Sequence, residues 1–161
     1  MATVYLETSF ISACVTNRRD AGSLYRQSTS IEWWRTQRYQ HHLYVSDEVI
    51  AELSDPRYTR RQEALDHIEE LESLVVSEEV IGLARIPVDH KVMPGPLQGD
   101  AVHVAVATVY GMDFMLSWNV RHLANPNKTQ HLNTVCLRLG LMPPHIITPE
   151  FLWEDDYEPS E

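Results

Sequence analysis

The assignment of the fold starts from the stretch Val4-Tyr5-Leu6-Glu7, in which three apolar residues are followed directly by a glutamate. An unbroken apolar run predicts a strand that is buried on both faces. Later apolar runs predict further strands at Leu43–Val45, Phe114–Leu116 and His145–Ile147. Helical periodicity between the runs predicts helices at Ser23–Gln40, Ser46–Leu53, Arg60–Leu74, Glu78–Ile86, Asp100–Tyr110 and Lys128–Leu139. Alternating strands and helices predict an α/β fold with three α/β/α layers and a largely parallel central sheet.

Residues at the predicted helix ends support this pattern. Ser46 precedes the helix that carries Glu52, and serine is a preferred residue at the start of a helix. Gly111 directly follows the helix predicted to end at Tyr110, where a glycine commonly ends a helix. Both assignments place short turns between the helices and the strands.

The size and charge of the chain limit its domain organisation and its partners. The chain has 161 residues, of which 43% are hydrophobic, and we expect one domain over residues 1–153. Residues 154–161 hold five acidic residues and predict a disordered acidic tail. The net charge of −10 argues against a general duplex-DNA-binding protein, because neutralising phosphates requires a basic surface.

The cysteines and the apolar runs indicate the compartment. Cys14 and Cys136 are far apart, so they provide neither a disulfide framework nor the ligand spacing of a zinc site. The N-terminal residues lack the basic segment and apolar core of a signal peptide. No apolar run approaches the roughly 18 residues that a membrane span needs. The sequence therefore predicts a soluble cytoplasmic protein.

Oxygen-bearing side chains occur at the ends of the predicted elements. Glu7 follows the first strand, Glu52 lies on the helix after the second, Asp100 opens the helix before the third, and Asn119 follows the third. In parallel sheets such residues meet at one edge, and their oxygens suit Mg²⁺ or Mn²⁺. Because the chain has 23 acidic residues, chance placement is the better explanation of this spacing when it is taken alone. The spacing alone supports no more than an acidic metal site in an α/β domain.

Four segments resemble the motifs of PIN domains in order and spacing, from Val4 to about Pro149. The first is an apolar strand that runs into an acid followed by Thr-Ser, and the second carries its functional acid at Glu52. The third is an Asp-Ala-x-His-x-Ala helix start at Asp100, and the fourth has the Trp-Asn form of many bacterial members. The segments are Val4-Tyr5-Leu6-Glu7-Thr8-Ser9-Phe10-Ile11-Ser12, Val45-Ser46-Asp47-Glu48-Val49-Ile50-Ala51-Glu52-Leu53, Gly99-Asp100-Ala101-Val102-His103-Val104-Ala105 and Met115-Leu116-Ser117-Trp118-Asn119-Val120-Arg121-His122-Leu123.

PIN domains of this size are mostly metal-dependent ribonucleases, and many bacterial members are VapC-type toxins that a cognate antitoxin inhibits. The resemblance therefore implies an endoribonuclease with an RNA substrate and an antitoxin partner. It implies that Mg²⁺ or Mn²⁺ binds Glu7, Glu52 and Asp100, and that a metal-activated water attacks the phosphodiester. Asn119 would lie nearby, and Ser9 or Ser117 would orient a carboxylate or the substrate phosphate.

Further contacts are expected around this site. Basic residues near the motifs are candidates for a rim that binds RNA: Arg57, Arg60, Arg61, Arg121 and Lys128. PIN toxins commonly pair, and the predicted helix Ser23–Gln40 carries aromatic residues that could serve a homodimer. One of Trp33 and Trp34 on that helix is expected in the core.

Two residues depart from the usual pattern of the family. Glu7 occupies the position where Asp is usual, and its extra methylene moves the carboxylate outward against the tight distance tolerance of Mg²⁺. Asn119 occupies a position where an acid often stands, which removes a negative charge that would favour a second ion. Both departures favour an alternative function, a catalytically weak or inactive PIN-like module that binds RNA or protein.

Structural roles are alternatives for several candidates. Glu52 could be a solvated helix residue, and Ser9 could only cap the helix that begins there. His103 lies three residues after Asp100, but no second histidine or cysteine at ligand spacing supports zinc, so we expect a packed histidine that hydrogen-bonds near the site. A small-molecule phosphatase is disfavoured, because the first strand lacks an Asp-x-Asp pair and the chain lacks a glycine-rich phosphate loop.

Overall fold

A five-stranded parallel sheet lies at the centre of the described part of the chain. The computed structural model describes residues 1–89, 99–123 and 126–154. Within them the strands follow the order β3-β2-β1-β4-β5, and every neighbouring pair is parallel. The strands are β1 (Thr3–Leu6), β2 (His42–Ser46), β3 (Glu72–Leu74), β4 (Phe114–Leu116) and β5 (His145–Ile147). The first strand of the chain is therefore the central strand of the sheet.

Helices flank the sheet and complete the predicted three-layer α/β/α fold. Helix α1 packs against α2, α3 and α4, whereas α6 packs against α5 and α7. The helices are α1 (Thr8–Val15), α2 (Ala21–Gln37), α3 (Asp47–Leu53), α4 (Arg61–His67), α5 (Glu78–Asp89), α6 (Asp100–Val109), α7 (Val120–Leu123) and α8 (Pro126–Arg138). A short 3₁₀ turn follows β5 at Pro149–Phe151. None of the helices in the described residues is both long and apolar enough to cross a bilayer.

One predicted helix is wrong in its second half. The sequence predicts a continuous helix over Arg60–Leu74, but α4 ends at His67 and Glu72–Leu74 form the edge strand β3. The apolar residues Ile68 and Leu74 continue the helical spacing, yet both are buried because the chain turns between them to pair with β2. Backbone pairing to an existing strand outweighs local helix periodicity here. The short helices α1 and α7 are additional to the predicted set.

Two predicted helix ends, the start of α3 at Ser46 and the end of α6 before Gly111, are confirmed. The Ser46 hydroxyl accepts a hydrogen bond from the Val49 amide at 3.4 Å and so caps α3. Gly111 follows α6 with a φ of 68°, a conformation that a residue without a Cβ adopts at no steric cost. Helix α2 begins two residues earlier than predicted, because the Asp20 carboxylate caps it by accepting from the Ser23 amide at 3.1 Å.

The core includes β1 and the face of α2 that packs against α1. Val4, Tyr5 and Leu6 have no exposed surface, as expected for a strand covered on both faces. Trp33 is the core tryptophan of α2, and its indole N–H donates to the Leu152 carbonyl at 2.6 Å. This hydrogen bond therefore fixes the segment around Leu152, which follows β5, against α2. The predicted acidic tail extends into residues 155–161, which lie outside the described residues.

His41 is a buried titratable group beside this core. Its ring is 4% exposed and stacks on Trp33 with the ring centroids 5.9 Å apart. Within the described residues neither ring nitrogen has a hydrogen-bond partner, and the Glu154 carboxylate lies 3.8 Å from Nδ1. Burial lowers the pKa of His41. This effect is larger than the increase in pKa that the negative charge of Glu154 causes. The fold therefore favours the neutral imidazole.

We predict that His41→Phe makes the protein less sensitive to acid. A histidine whose pKa is lower in the folded state binds its proton more readily in the unfolded chain, so its contribution to stability decreases as the pH falls below about 6.5. The difference in free energy of unfolding between about pH 7.5 and about pH 5 is expected to be smaller in His41→Phe than in the wild type. Urea titrations at both pH values measure it, with the exposed neighbour in His42→Phe as the control. An unchanged pH dependence in His41→Phe would contradict the assignment.

Candidate functional site

The Glu7 carboxylate is buried at the end of the central strand. The side chain is 4% exposed and caps α1, a position that Ser, Thr, Asp and Asn usually occupy. Its Oε2 accepts from the Ser9 amide at 3.0 Å, from the Ser9 hydroxyl, and from the Ser117 hydroxyl at 2.8 Å. The extra methylene of Glu7 is accommodated because the side chain folds back so that its carboxylate contacts the first turn of α1.

Ser9 and Ser117 join the ends of β1 and β4 through this carboxylate. The Ser9 hydroxyl oxygen also accepts from the Trp118 amide at 2.8 Å, and the Ser117 hydroxyl oxygen accepts from the Asn119 amide at 2.9 Å. The Glu7 amide itself donates to the Leu116 carbonyl at 3.1 Å. The alternative that Ser9 caps the helix is therefore wrong, because Glu7 caps α1 and Ser9 helps to fix the loop after β4 against the Glu7 carboxylate.

Glu52 lies next to Glu7 and forms a hydrogen bond with a histidine. Its Oε1 bonds to Nε2 of His103 and accepts from the Thr8 hydroxyl at 3.1 Å. Glu7 Oε1 lies 4.0 Å from the same Nε2 atom. Because a carboxylate only accepts hydrogen bonds, Nε2 carries a proton. The two carboxylates therefore converge on one imidazole, and Glu52 is not merely a solvated helix residue.

His103 is fully buried and belongs to a polar chain that reaches β2. Its Nδ1 bonds to the Tyr5 hydroxyl at 2.5 Å, and that hydroxyl bonds to the Ser46 hydroxyl at 2.8 Å. Burial alone lowers the pKa of His103, but the hydrogen bond to Glu52 and the negative charges of Glu7 and Glu52 raise it, and the net direction is upward. The expectation of a packed histidine beside the site is confirmed.

Asp100 and Asn119 form a second pair at the same edge of the sheet. The Asn119 side-chain amide donates to Asp100 Oδ1 at 3.1 Å, and both residues are half-buried. An acid at position 119 would place two negative charges together, whereas the amide stabilises the Asp100 carboxylate. The Gly99 amide before Asp100 donates to Glu48 Oε1 at 2.9 Å, which links the start of α6 to α3.

The polar residues that sequence analysis missed are Tyr5 and Thr8. Side chains two residues apart on a strand share a face, so Tyr5 points to the same side as Glu7. The two-residue repeat of side chains along a strand is therefore the sequence signal that could have identified Tyr5. Thr8 carries no comparable signal, because its contact with Glu52 joins residues 44 positions apart.

The donor set of the site has the chemistry that hard divalent cations require. Glu7, Glu52 and Asp100 supply carboxylate oxygens, which suit Mg²⁺ and Mn²⁺. In the residues that the structure describes, however, no group of three or more His, Cys, Asp or Glu side chains is arranged to hold a metal ion. Within the described residues the hydrogen bonds of Glu52 to His103 and Thr8 engage Oε1, so Oε2 would be the oxygen available to a cation.

The predicted basic residues differ in what their side chains contact. Arg57 pairs with Asp55 at 2.8 Å and lines a cavity of about 330 Å³ beside Glu52. Arg60 donates to the Val15 carbonyl at 2.9 Å, and Arg61 donates to the Pro56 carbonyl at 3.2 Å. The other two candidates are Arg121, which is exposed, and Lys128, whose side chain lies outside the described residues. Their role in RNA binding stays a prediction.

We predict that the Ser117 hydroxyl and the Glu7 carboxylate are energetically coupled. Removing a donor from a buried carboxylate leaves it undersolvated, so Ser117→Ala should lower the free energy of unfolding by about 1.5–3 kcal/mol. In a Glu7→Gln background the same change should cost less, because the uncharged amide depends less on that donor. Urea unfolding in EDTA of the wild type, both single variants and the double variant measures the coupling. A coupling energy near zero would show that the hydrogen bond does not stabilise the fold.

Comparisons with known proteins identify the fold. Neither a search of family models nor a search of curated proteins gave a match. Solved structures of low identity do match. The VapC20 toxin of Mycobacterium tuberculosis, which cleaves the sarcin–ricin loop, is 18% identical over 80% of this chain and 94% of its own, with a TM-score of 0.56. DNA-bound VapBC of Salmonella typhimurium is 17% identical over 92% and 99%, with a TM-score of 0.57. DNA-bound VapBC2 of Rickettsia felis is 15% identical over 94% and 99%, with a TM-score of 0.54. The chain therefore has the fold of the PIN-domain toxins of the VapC type.

Proposed function

We propose that this chain is a metal-dependent endoribonuclease and the toxin of a type II toxin–antitoxin pair. The observation that supports the proposal is that Glu7 and Glu52 converge on the His103 ring, while Asn119 donates to Asp100. Glu7, Glu52 and Asn119 follow β1, β2 and β4, at the carboxyl edge of the sheet. Ligand sites in open parallel sheets lie beyond this edge. The PIN-like motifs imply that Glu7, Glu52, Asp100 and Asn119 together form a nuclease centre.

The residues of the chain have distinct tasks in this proposal. Glu7, Glu52 and Asp100 would hold Mg²⁺ or Mn²⁺. When bound, such a cation supplies an activated water and positive charge for a phosphoryl oxygen. Ser9 and Ser117 hold the Glu7 carboxylate in place, and the Asn119 amide orients Asp100 through their 3.1 Å hydrogen bond. His103 and Thr8 hold Glu52 through its Oε1 atom.

The net charge of −10 is compatible with an RNA substrate. Phosphate would meet the bound cation rather than the carboxylates, so the local charge of the site differs from that of the chain. A cellular RNA substrate would place the activity in the cytoplasm.

A partner antitoxin follows from the same proposal. Several structures with this fold are VapBC assemblies, and two were solved bound to DNA. A toxin of this kind requires inhibition in the cell that makes it, so we propose a cognate antitoxin as partner. A homodimer remains a second proposed assembly, for which the half-exposed Leu24 and Tyr25 of α2 provide apolar surface.

One observation favours a second candidate function. Glu52 is hydrogen-bonded to His103, and within the described residues no ready metal-holding group of His, Cys, Asp or Glu exists. A PIN-like module that binds RNA or protein without cleaving it would have such a closed polar cluster. Metal binding separates the two functions, because Mn²⁺ should raise the melting temperature only if the site takes a cation.

We predict that the purified protein cleaves a mixed, end-labelled RNA pool in Mn²⁺ or Mg²⁺ but not in EDTA. Asp100→Asn and Glu52→Gln should each lower the cleavage rate by at least about 100-fold, because charge stabilisation by a metal contributes several kcal/mol to the barrier. The exposed helix residue in Glu79→Gln provides a matched control and should retain the wild-type rate. Gel analysis of the labelled fragments measures the rates.

The same experiment distinguishes the two candidate functions. Cleavage that persists in EDTA or in Asp100→Asn would contradict the proposed centre. A protein that neither cleaves RNA nor gains thermal stability from Mn²⁺ would be a binding module with a PIN fold.

A further inference from the structure

A second cavity lies beside the carboxylate cluster, between the end of α1, the start of α2 and residues 58–60. Its volume is about 460 Å³, within the usual range for small-ligand sites. The residues that line it include Arg18, Arg26 and Arg60, with no aspartate or glutamate among them. In a chain with a net charge of −10, this is a locally basic cavity.

The three arginines are not equally available to a ligand. Arg60 donates to the Val15 carbonyl and lies 3.3 Å from Glu63, and Arg18 lies 3.5 Å from Asp20. Arg26 is exposed, and among the described residues no ion pair or hydrogen bond engages its side chain. Because its charge is not neutralised by a neighbour, Arg26 is the natural contact for an anionic group.

The cavity continues into the proposed catalytic centre. Ser9, whose hydroxyl holds Glu7, and Trp118, which precedes Asn119, both line it. Ser12 and Tyr58 line both this cavity and the smaller one that contains Glu52. A ligand in the arginine-lined cavity would therefore lie next to the reacting centre.

The walls of the cavity combine positive charge with aromatic rings. Tyr58 and Trp118 are both half-buried in its lining, so part of each side chain is accessible. Arginine with an aromatic ring is the combination that binds an unstacked nucleotide, since the guanidinium contacts phosphate and the ring stacks on the base. A cavity of this size accommodates one nucleotide but not a base-paired duplex.

We propose that this cavity binds one unstacked nucleotide of a single-stranded RNA, beside the phosphodiester that is cleaved. Arg26 contacts a phosphate of that nucleotide, and Tyr58 and Trp118 supply aromatic surface for its base. The proposal rests on the proposed ribonuclease function for its substrate. It assigns to that substrate an unpaired nucleotide next to the cleavage site.

Arg26→Gln and Arg35→Gln form a matched pair for the test. Both residues are exposed on α2, and the nine positions between them correspond to about 2.5 helical turns, so they lie on opposite faces. The two variants lose the same charge, but only Arg26 lines the cavity. Neither substitution removes a buried group, so both variants should fold.

Binding of a short fluorescein-labelled single-stranded RNA, followed by anisotropy in EDTA, measures the contact without cleavage. Arg26→Gln should weaken binding about tenfold, as expected for a charge-assisted hydrogen bond. It should also reduce the slope of log K against log salt concentration by about 0.7, the value for one lost phosphate contact on a single strand. Arg35→Gln should bind as the wild type does, and the same RNA as a duplex should bind more weakly to the wild type.

Tyr58→Leu tests the aromatic wall independently of charge. Loss of one stacking ring should weaken binding of the single strand by about 5- to 100-fold without changing the salt slope. Tyr39→Leu is the control, because that ring is 77% exposed and does not line the cavity. Circular dichroism of each variant confirms that the fold is retained.

The outcomes separate this proposal from the ribonuclease function. If Arg26→Gln weakens binding of single-stranded RNA and Arg35→Gln does not, the nucleotide cavity is supported. This holds even if the wild type cleaves no RNA in Mn²⁺, in which case only the nuclease function fails. Equal binding by Arg26→Gln and Arg35→Gln overturns the proposed nucleotide binding in this cavity. A wild type that binds no single-stranded RNA overturns it as well. If that wild type still cleaves RNA, the nuclease function stands without the nucleotide cavity. Equal affinity for duplex and single strand overturns the assignment to an unpaired nucleotide.

Discussion

A buried carboxylate at the end of the central strand is the constraint on which the rest of the site depends. Taking the Glu7 side chain out of water is costly unless hydrogen-bond donors replace the lost hydration. Ser9 and Ser117 supply those donors, and the first turn of α1 contributes a backbone amide. To satisfy one side chain, the fold joins the ends of β1 and β4, and this junction also fixes the loop that carries Asn119.

The carboxylates differ in how they are compensated, and this difference shapes what the site can do. Glu7 is held by hydroxyl and amide donors, Glu52 by a protonated imidazole nitrogen, and Asp100 by the neutral amide of Asn119. The Glu52 interaction is the one whose partner is itself titratable, because the His103 ring bonds to Glu52 Oε1 and this hydrogen bond raises the pKa of His103 against the effect of burial. The structure thus describes a centre whose most adaptable contact is the one between Glu52 and His103.

Sequence predicts the parts of this molecule that depend on local pattern. The buried run Val4–Leu6, the cap at Ser46 and the glycine after α6 follow from side-chain chemistry within a few residues, and all are found as expected. The strand Glu72–Leu74 could not be predicted, because it depends on pairing with β2 rather than on its own composition. For the site, the PIN-like motifs predict a shared centre, and the structure shows which contacts compensate the charge of each carboxylate. Tyr5 and Thr8 became recognisable only when distant segments were brought together.

The separation of the site residues along the chain has a consequence for biosynthesis. Glu7 and Ser117 are 110 positions apart, and the Trp33 indole bonds to Leu152 a further 35 residues along the chain from Ser117. A nascent chain therefore exposes the Glu7 carboxylate and one face of α2 until most of the polypeptide has left the ribosome. Loop closure over such distances makes folding slower than for proteins built from local contacts. The hydrogen bond from Ser117 to Glu7 thus forms late in translation, and a product truncated before Ser117 lacks this donor.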